Sequence, residues 1–224
     1  MIRRINNLIK KSTLIIKDDG ALRFAKRAAK YAYYKKFPDR KNKEYKDILF
    51  INGCTLPHPE RYRVAHQIEQ LISQGLTADS VFYDRLSLDQ LKYYRGFVFF
   101  RCPITDTVCN FIKQANYFNK TCFFDIDDLV IDQKYTDSIE YVQKMSDEDK
   151  RLYNDGVNRM RETLTLCSHA ITTTTQLQEE LQKYIKGQVL INRNVASDEM
   201  ISRSNAAIKA VNKDEDKVII GYFS

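Results

Sequence analysis

The chain has 224 residues, 43% of them apolar, and a formal net charge of +7. That allows one large domain, or one and a half small ones, around a sizeable core. No run approaches the ~18 consecutive apolar residues of a membrane span. The start, "MIRRINNLIKKSTLIIKDDG", lacks the unbroken apolar stretch of a secretory signal.

Cys54, Cys102, Cys109, Cys122 and Cys167 are odd in number and form no C-x-x-C pair. This favours reduced thiols in a cytosolic protein over a disulfide framework or a structural zinc site. The charge is uneven. Residues 1–46 hold 15 Lys and Arg against four acids, while the remaining 178 hold 21 basic and 25 acidic side chains. The basic character therefore belongs to an N-terminal arm on a mildly acidic body, which argues against nucleic acid as the partner of the whole chain.

Within the arm, "ALRFAKRAAKYAYYKK" (21–36) predicts a helix. Leu22, Ala25, Ala29 and Ala32 share one face, with Phe24, Ala28 and Tyr31 beside it and Arg23, Arg27 and Lys30 opposite. With Lys26, these cations suit an anionic membrane surface, where each contributes ~1 kcal/mol. A solvated helix packed loosely by its alanines fits the same pattern. RNA binding lacks an accompanying aromatic or glycine-rich motif. Pro38 and "DRKNKEYK" then read as a polar linker.

From residue 47 the periodicity alternates. "DILFING" (47–53) reads as a buried strand, followed by a helix burying Val64, Ala65, Ile68, Leu71 and Ile72. "SVFYDRL" (80–86) is the next strand, then comes a short helix near "LDQLKYY", and "FVFFRCP" (97–103) is a strongly apolar strand. Val108, Phe111, Ile112 and Ala115 mark a helix before the fourth strand, "TCFFDID" (121–127). A long helix follows, with Ser146 and Asp149 resembling a capping box and Tyr153, Val157, Met160, Leu164 and Cys167 at helical spacing. "HAITTTT" (169–175) is a fifth strand. Thr175 and Gln178 cap a helix carrying Leu177, Leu181 and Ile185. "QVLINRN" (188–194) is a sixth strand, and Ile201, Ser204, Ile208 and Val211 outline a last helix.

Strands buried on both faces and alternating with helices predict an α/β fold, a Rossmann-like doubly wound parallel sheet over 47–212. Residues 213–224 read as a charged linker and a strand, "VIIGYFS", expected to be the first element of a further domain. Ligands of such sheets bind beyond the carboxyl ends of the strands. The segments to weigh are then Gly53 to Arg63, Arg101 to Pro103, Asp125 to Asp128, Thr172 to Thr175 and Asn192 to Asn194.

The cluster "FFDIDDLVID" (123–132) admits several chemistries. Asp125 and Asp127 have the Asp-x-Asp spacing of a Mg²⁺-dependent haloacid-dehalogenase-like phosphatase, in which one carboxylate attacks phosphorus and another protonates the leaving group. Against it stand Leu129 after Asp128, the motif's place on the fourth strand, and the lack of a later acidic pair. The metal motif of the single-domain glycosyltransferase fold would need a mixed sheet. For any single Asp, such as Asp128 or Asp132, capping the next segment is the plain reading. Cys54 and His58 share a loop, but no partner orients them as a catalytic dyad. Gly53 is a lone glycine, not a dinucleotide fingerprint, and His66 and His169 have no ligand-like partners. Arg61 and Arg63 could aim guanidinium groups at a phosphate or sugar hydroxyl, or form a solvated helix face.

Taken in order, "ILFINGCTLPHPERYRVAHQIEQL", "FFDIDDLVID", "HAITTTTQLQEELQK", "VLINRNVASDEM" and the closing "IIGYFS" resemble the N-terminal domain of bacterial GT-B glycosyltransferases, in the group that builds rhamnose-containing and other surface polysaccharides. "DDGALRFAKRAAKYAYYKK" resembles the basic segment that often precedes that domain. The resemblance covers about residues 12–224. It implies two Rossmann-like domains facing across a cleft, the N-terminal one holding a glycan or lipid-linked acceptor and the other the nucleotide-sugar. It makes Asp125, Asp127 and Asp128 cleft-facing candidates for a general base or sugar-hydroxyl contact, with no metal or cofactor required. Gly53, His58, Arg61, Arg63, Arg101, Thr173, Asn192 and Asn194 are the expected acceptor-side lining. It also implies a cytoplasmic location at the inner face of the plasma membrane. Since nearly all of the donor half is absent from residues 1–224, this chain alone is expected not to turn over.

Overall fold

The structure, a computed structural model, describes residues 44–210 together with Ala25 and Ala29, two exposed helical positions of the arm. Arg23, Lys26, Arg27 and Lys30, like Val211 and the closing "VIIGYFS", lie outside the described residues.

Six strands, β1 (Lys46–Asn52), β2 (Ala78–Phe82), β3 (Tyr94–Phe100), β4 (Thr121–Asp125), β5 (His169–Thr172) and β6 (Val189–Ile191), form one sheet in the order β2-β1-β3-β4-β5-β6. Every pairing is parallel. Helix α1 joins β1 to β2 in three consecutive segments, Pro57–Glu60, a π-helical turn Arg61–Ala65, and His66–Ser73. The later crossovers use α2 (Asp106–Tyr117), the short α3 (Gln133–Thr136) and α4 (Glu140–Gln143), the long α5 (Asp147–Leu166) and α6 (Thr175–Gln182). Helix α7 (Asp198–Ala210) follows β6.

The strand order explains the two layers. The chain steps from β1 to β2 in one direction, and from β3 onward it steps in the other. Right-handed crossovers then put α1 on one face and α2, α5 and α6 on the opposite one. The two cores follow from side-chain alternation along the central strands. Leu49, Ile51, Phe97 and Phe99 meet Phe111 and Ile112 of α2, Leu164 of α5 and Leu181 of α6. Phe50, Val98 and Phe100 meet Val64 of α1. This is a Rossmann-like, doubly wound α/β fold.

Several predicted elements shift in detail. Strand β2 ends at Phe82, and Tyr83–Arg85 form a 3-10 turn that folds Tyr83 and Leu86 onto the core. An apolar run does not distinguish those outcomes. The cap of α6 is Thr174, whose Oγ1 accepts the Leu177 N–H at 3.2 Å, not Thr175. In α1, Ala65 and Ile72 are exposed while Arg63, His66 and Gln67 are buried. The wider π turn rotates the following residues and brings this polar set onto the sheet. In α7, Ile201 and Ile208 are also exposed rather than buried.

Phe111 is fully buried and packs edge-on against Phe97, with ring centroids 4.8 Å apart. Phe111→Ala is expected to cost about 3–5 kcal/mol through lost burial and a residual cavity. Urea unfolding of the purified chain would measure it as a lower midpoint with an unchanged slope.

Candidate functional site at the carboxyl edge of the sheet

The strand order reverses between β1 and β3, which makes the carboxyl ends of these strands the usual ligand position in such a sheet. Two tight backbone features shape it. The Gly53 N–H donates to the Phe100 carbonyl at 2.8 Å, and a Cβ at Gly53 would run into the Arg101 carbonyl oxygen and the Cys102 Cα. Arg101 itself has a left-handed backbone, φ 42°, a conformation that costs a non-glycine residue about 1–3 kcal/mol. Its N–H donates to the Asp125 carbonyl at 3.0 Å.

This turn lays the guanidinium across the residues after β4. Arg101 Nε and Nη2 donate to Asp127 Oδ1 at 2.9 and 2.6 Å, and Nη2 also reaches Asp128 Oδ2 at 2.6 Å. Burial opposes the charge on Arg101, but the two aspartates outweigh it and raise its pKa. Burial also raises the Asp128 carboxyl, against the pull of Arg101. The Asp128 side chain remains 40% exposed, yet its Oδ1 is out of contact with solvent and has no hydrogen-bond partner.

A second node lies beneath. Arg63, fully buried in the π turn, donates from Nε and Nη2 to Asp125 Oδ1 at 3.1 and 2.7 Å. Gln67 Nε2 donates to Asp125 Oδ2 at 2.9 Å, so both carboxylate oxygens are occupied. Arg63 Nη1 reaches across to the Asn192 carbonyl at 2.6 Å and Asn194 Oδ1 at 3.2 Å. The His66 Nδ1–H donates to the Val195 carbonyl at 2.9 Å. One helix thereby ties β4 to the connection after β6.

The structure separates residues that the sequence groups together. Asp127 and Asp128 are 17% and 40% exposed and pair with Arg101, while Asp125 is fully buried and faces Arg63. With both oxygens hydrogen-bonded, Asp125 offers no free carboxylate to attack phosphorus. Arg63 points into the protein rather than toward a ligand, and Asn192 and Asn194 serve it as acceptors. Gly53 supplies the close approach of β1 to the β3 turn. His58 and Arg61 are exposed on the first part of α1, and Arg61 lines a small cavity of about 110 Å³ with His66 and Ser197. Thr173 is half-buried, and the neighbouring Thr172 hydroxyl donates to the Ile126 carbonyl at 2.8 Å. No hydrogen bond among the described residues joins Cys54 to His58.

The sequence reading missed two residues. Gln67 carries a faint signal, lying four positions after Arg63 on a helix whose partners are apolar. Tyr153 carries only the helical spacing of α5 as its signal. Burial raises its hydroxyl pKa, as does the nearby Asp128 charge.

In comparisons with known proteins, no family's sequence model matches the chain and no curated protein matches it. The fold and site therefore define the class by themselves. It is a Rossmann-like α/β protein with an arginine–aspartate cluster at its switch point and, among the described residues, no helix long and apolar enough to cross a membrane.

Two outcomes are expected. Gly53→Ala forces the β1 end away from the β3 turn and lowers stability by roughly 1–3 kcal/mol, read as a drop in thermal midpoint. Arg63→Met leaves the Asp125 carboxylate buried without its cation, at a cost of about 3–5 kcal/mol near neutral pH. The pH dependence has a definite sign. Burial pushes Asp125 up to about 6 even beside Arg63. The group's contribution to stability is therefore full below its unfolded value near 3.9 and is lost as pH rises through 6. Without Arg63 the folded value rises further, so the gap between variant and wild type widens from pH 5 to pH 8. Urea midpoints for both proteins across that range would measure it, and a gap that narrows with pH would refute the assignment.

Proposed function

We propose that this chain is the acceptor-side domain of a two-domain, GT-B-type glycosyltransferase that moves a sugar from a nucleotide-sugar to a surface-polysaccharide or lipid-linked acceptor. The observation that carries the reading is the cluster of Arg101, Asp127 and Asp128 at the switch-point crevice, accessible to a ligand and held by a constrained turn. Asp128 takes the proton from an acceptor hydroxyl as that oxygen attacks the anomeric carbon. The bond from that carbon to the donor phosphate breaks, and the nucleoside diphosphate leaves with the electron pair. A carboxyl raised by burial suits this role, because a general base works best with a pKa nearer the working pH. Asp127 and Arg101 hold Asp128 in place.

A facing domain would hold the donor. The basic arm, through Arg23, Lys26, Arg27 and Lys30, would keep the enzyme at the inner face of the plasma membrane by attraction to anionic lipid. The occupied Asp125 weighs against the phosphatase alternative, which needs that carboxylate free.

The test is to assay the complete gene product, including whatever is encoded past the Ser224 codon, with a panel of nucleotide-sugars and membrane-extracted acceptor, detecting product by mass spectrometry. A sugar-extended product is expected, and Asp128→Asn should slow its formation at least about 100-fold, the size of a general-base contribution, while leaving the thermal midpoint close to wild type. Hydrolysis of a chromogenic phosphate would favour the phosphatase instead. Liposome binding with no transfer from any donor would favour a non-catalytic membrane-bound module.

A further inference from the structure

At the edge of the sheet opposite the Arg101 cluster, large apolar side chains stand in water. All strands run the same way and the crossovers return the chain to their amino ends. The starts of β1, β2 and β3 and the last turns of α1 and α2 therefore share this edge. Here Tyr45 is 83% exposed, Tyr117 81% and Phe118 57%, and Ile72 and Leu76 are exposed as well. Single exposed apolar residues are ordinary, but a group of them marks a surface that meets a partner.

Backbone and side-chain hydrogen bonds hold the group together. The Lys46 N–H donates to the Tyr93 carbonyl at 2.8 Å, and the Tyr45 and Tyr93 rings lie 6.1 Å apart. The Lys120 ammonium donates to the carbonyls of Leu91 and Tyr94, which clamps the turn after α2 against the start of β3. Tyr117 and Phe118 stand edge to face beside that turn, 5.3 Å apart, and Asn119 closes it with a left-handed backbone, φ 54°. On the other side, the N–H groups of Asp47 and Ile48 both donate to the Thr77 carbonyl, which brings in Leu76.

Charge identifies the partner. Around the patch, Lys46 pairs with Asp79 at 2.9 Å, Arg95 with Asp47 at 3.0 Å and Lys92 with Asp89 at 2.8 Å. The excess comes from the segment that enters β1 through Tyr45, since residues 1–46 hold 15 Lys and Arg against four acids. Aromatic rings beside a cationic segment match the two attractions of an anionic bilayer, its headgroup region and its surface charge. Ile72 and Leu76 favour lipid over single-stranded nucleic acid, because aliphatic side chains give a base nothing to stack on.

We propose that the amino edge of the sheet docks on an anionic bilayer surface, with Tyr45, Tyr117 and Phe118 at headgroup depth and the arm's cations over the lipid phosphates. The arm then acts together with a rigid face of the folded domain, and that face orients the protein. Strand β3 has seven residues and spans about 20 Å, so the Arg101 cluster stands at least that far from the lipid. On the transferase reading, sugars several units out from a lipid anchor reach the cluster and the anchor itself does not.

The chain has no tryptophan, so one introduced indole reports on its own surroundings. Phe118→Trp and, at the carboxyl edge, the exposed Leu56→Trp would be titrated as the full chain. The vesicles are three parts phosphatidylcholine to one part phosphatidylserine, with phosphatidylcholine alone as the neutral control. The reporter at position 118 is expected to shift to the blue and to lose its quenching by acrylamide on anionic vesicles only, while the reporter at position 56 does neither. Tyr117→Ser combined with Phe118→Ser, with circular dichroism to verify folding, should weaken vesicle binding about tenfold or more through the lost ring burial. The proposal is overturned if the two reporters respond alike, if the double variant binds like wild type, or if neutral vesicles bind as tightly as anionic ones. A blue shift at position 118 that grows with protein concentration in the absence of vesicles would overturn it too, in favour of a second copy of the chain. No sugar enters the measurement, so a gene product that transfers none leaves the result standing.

Discussion

Arg63 and Asp125 meet at 2.7 Å with neither side chain exposed, between the helix after β1 and the end of β4. Removing two charges from water costs several kcal/mol each, and their attraction repays this only when every remaining donor and acceptor is used. Here they nearly all are. Gln67 takes the second carboxylate oxygen, and the far side of the guanidinium takes a backbone carbonyl and an amide from the connection after β6. The pair consequently specifies geometry more than it adds stability. It fixes the pitch of α1 over the sheet and the path of the chain between β6 and α7, and the crevice at the switch point inherits its shape from both.

Above that buried pair, the same residue types behave differently because water reaches them. Arg101 also binds carboxylates, but through a strained turn and at the surface of the crevice. Its two partners share one guanidinium, and one Asp128 oxygen remains without a donor. Two arginines and three aspartates within one edge of the sheet thus divide into a structural set and an accessible set. Burial makes the division. The lower pair is closed off from water, whereas in the upper cluster the Asp128 side chain stays 40% exposed.

Charge is separated on a larger scale as well. The excess of Lys and Arg belongs to residues 1–46 of the sequence, and the remaining 178 residues hold 21 basic against 25 acidic side chains. The net positive charge is therefore not a property of the segment that forms the sheet and its edge.

The sequence alone determined the layers of this protein. The runs "DILFING", "FVFFRCP" and "TCFFDID" are apolar on both faces, and residues that must be buried on both sides of a strand leave little choice but a parallel sheet between helices. The spacing of Val108, Phe111, Ile112 and Ala115 likewise specified the buried side of α2. It also placed the candidate segments at strand ends, because connections in such a fold gather there. Only the tertiary structure decided which aspartate would be buried. Asp125, Asp127 and Asp128 are chemically alike and nearly adjacent, and their fates depend on arginines 62 and 26 residues away in the chain. The π turn that rotates Arg63 and Gln67 inward has no periodic signature, since it is a single departure from the 3.6-residue repeat. The left-handed backbone of Arg101 is equally silent in the sequence, because arginine does not favour it. Long-range ion pairing and one irregular turn, neither of which is local, set the chemistry of the site.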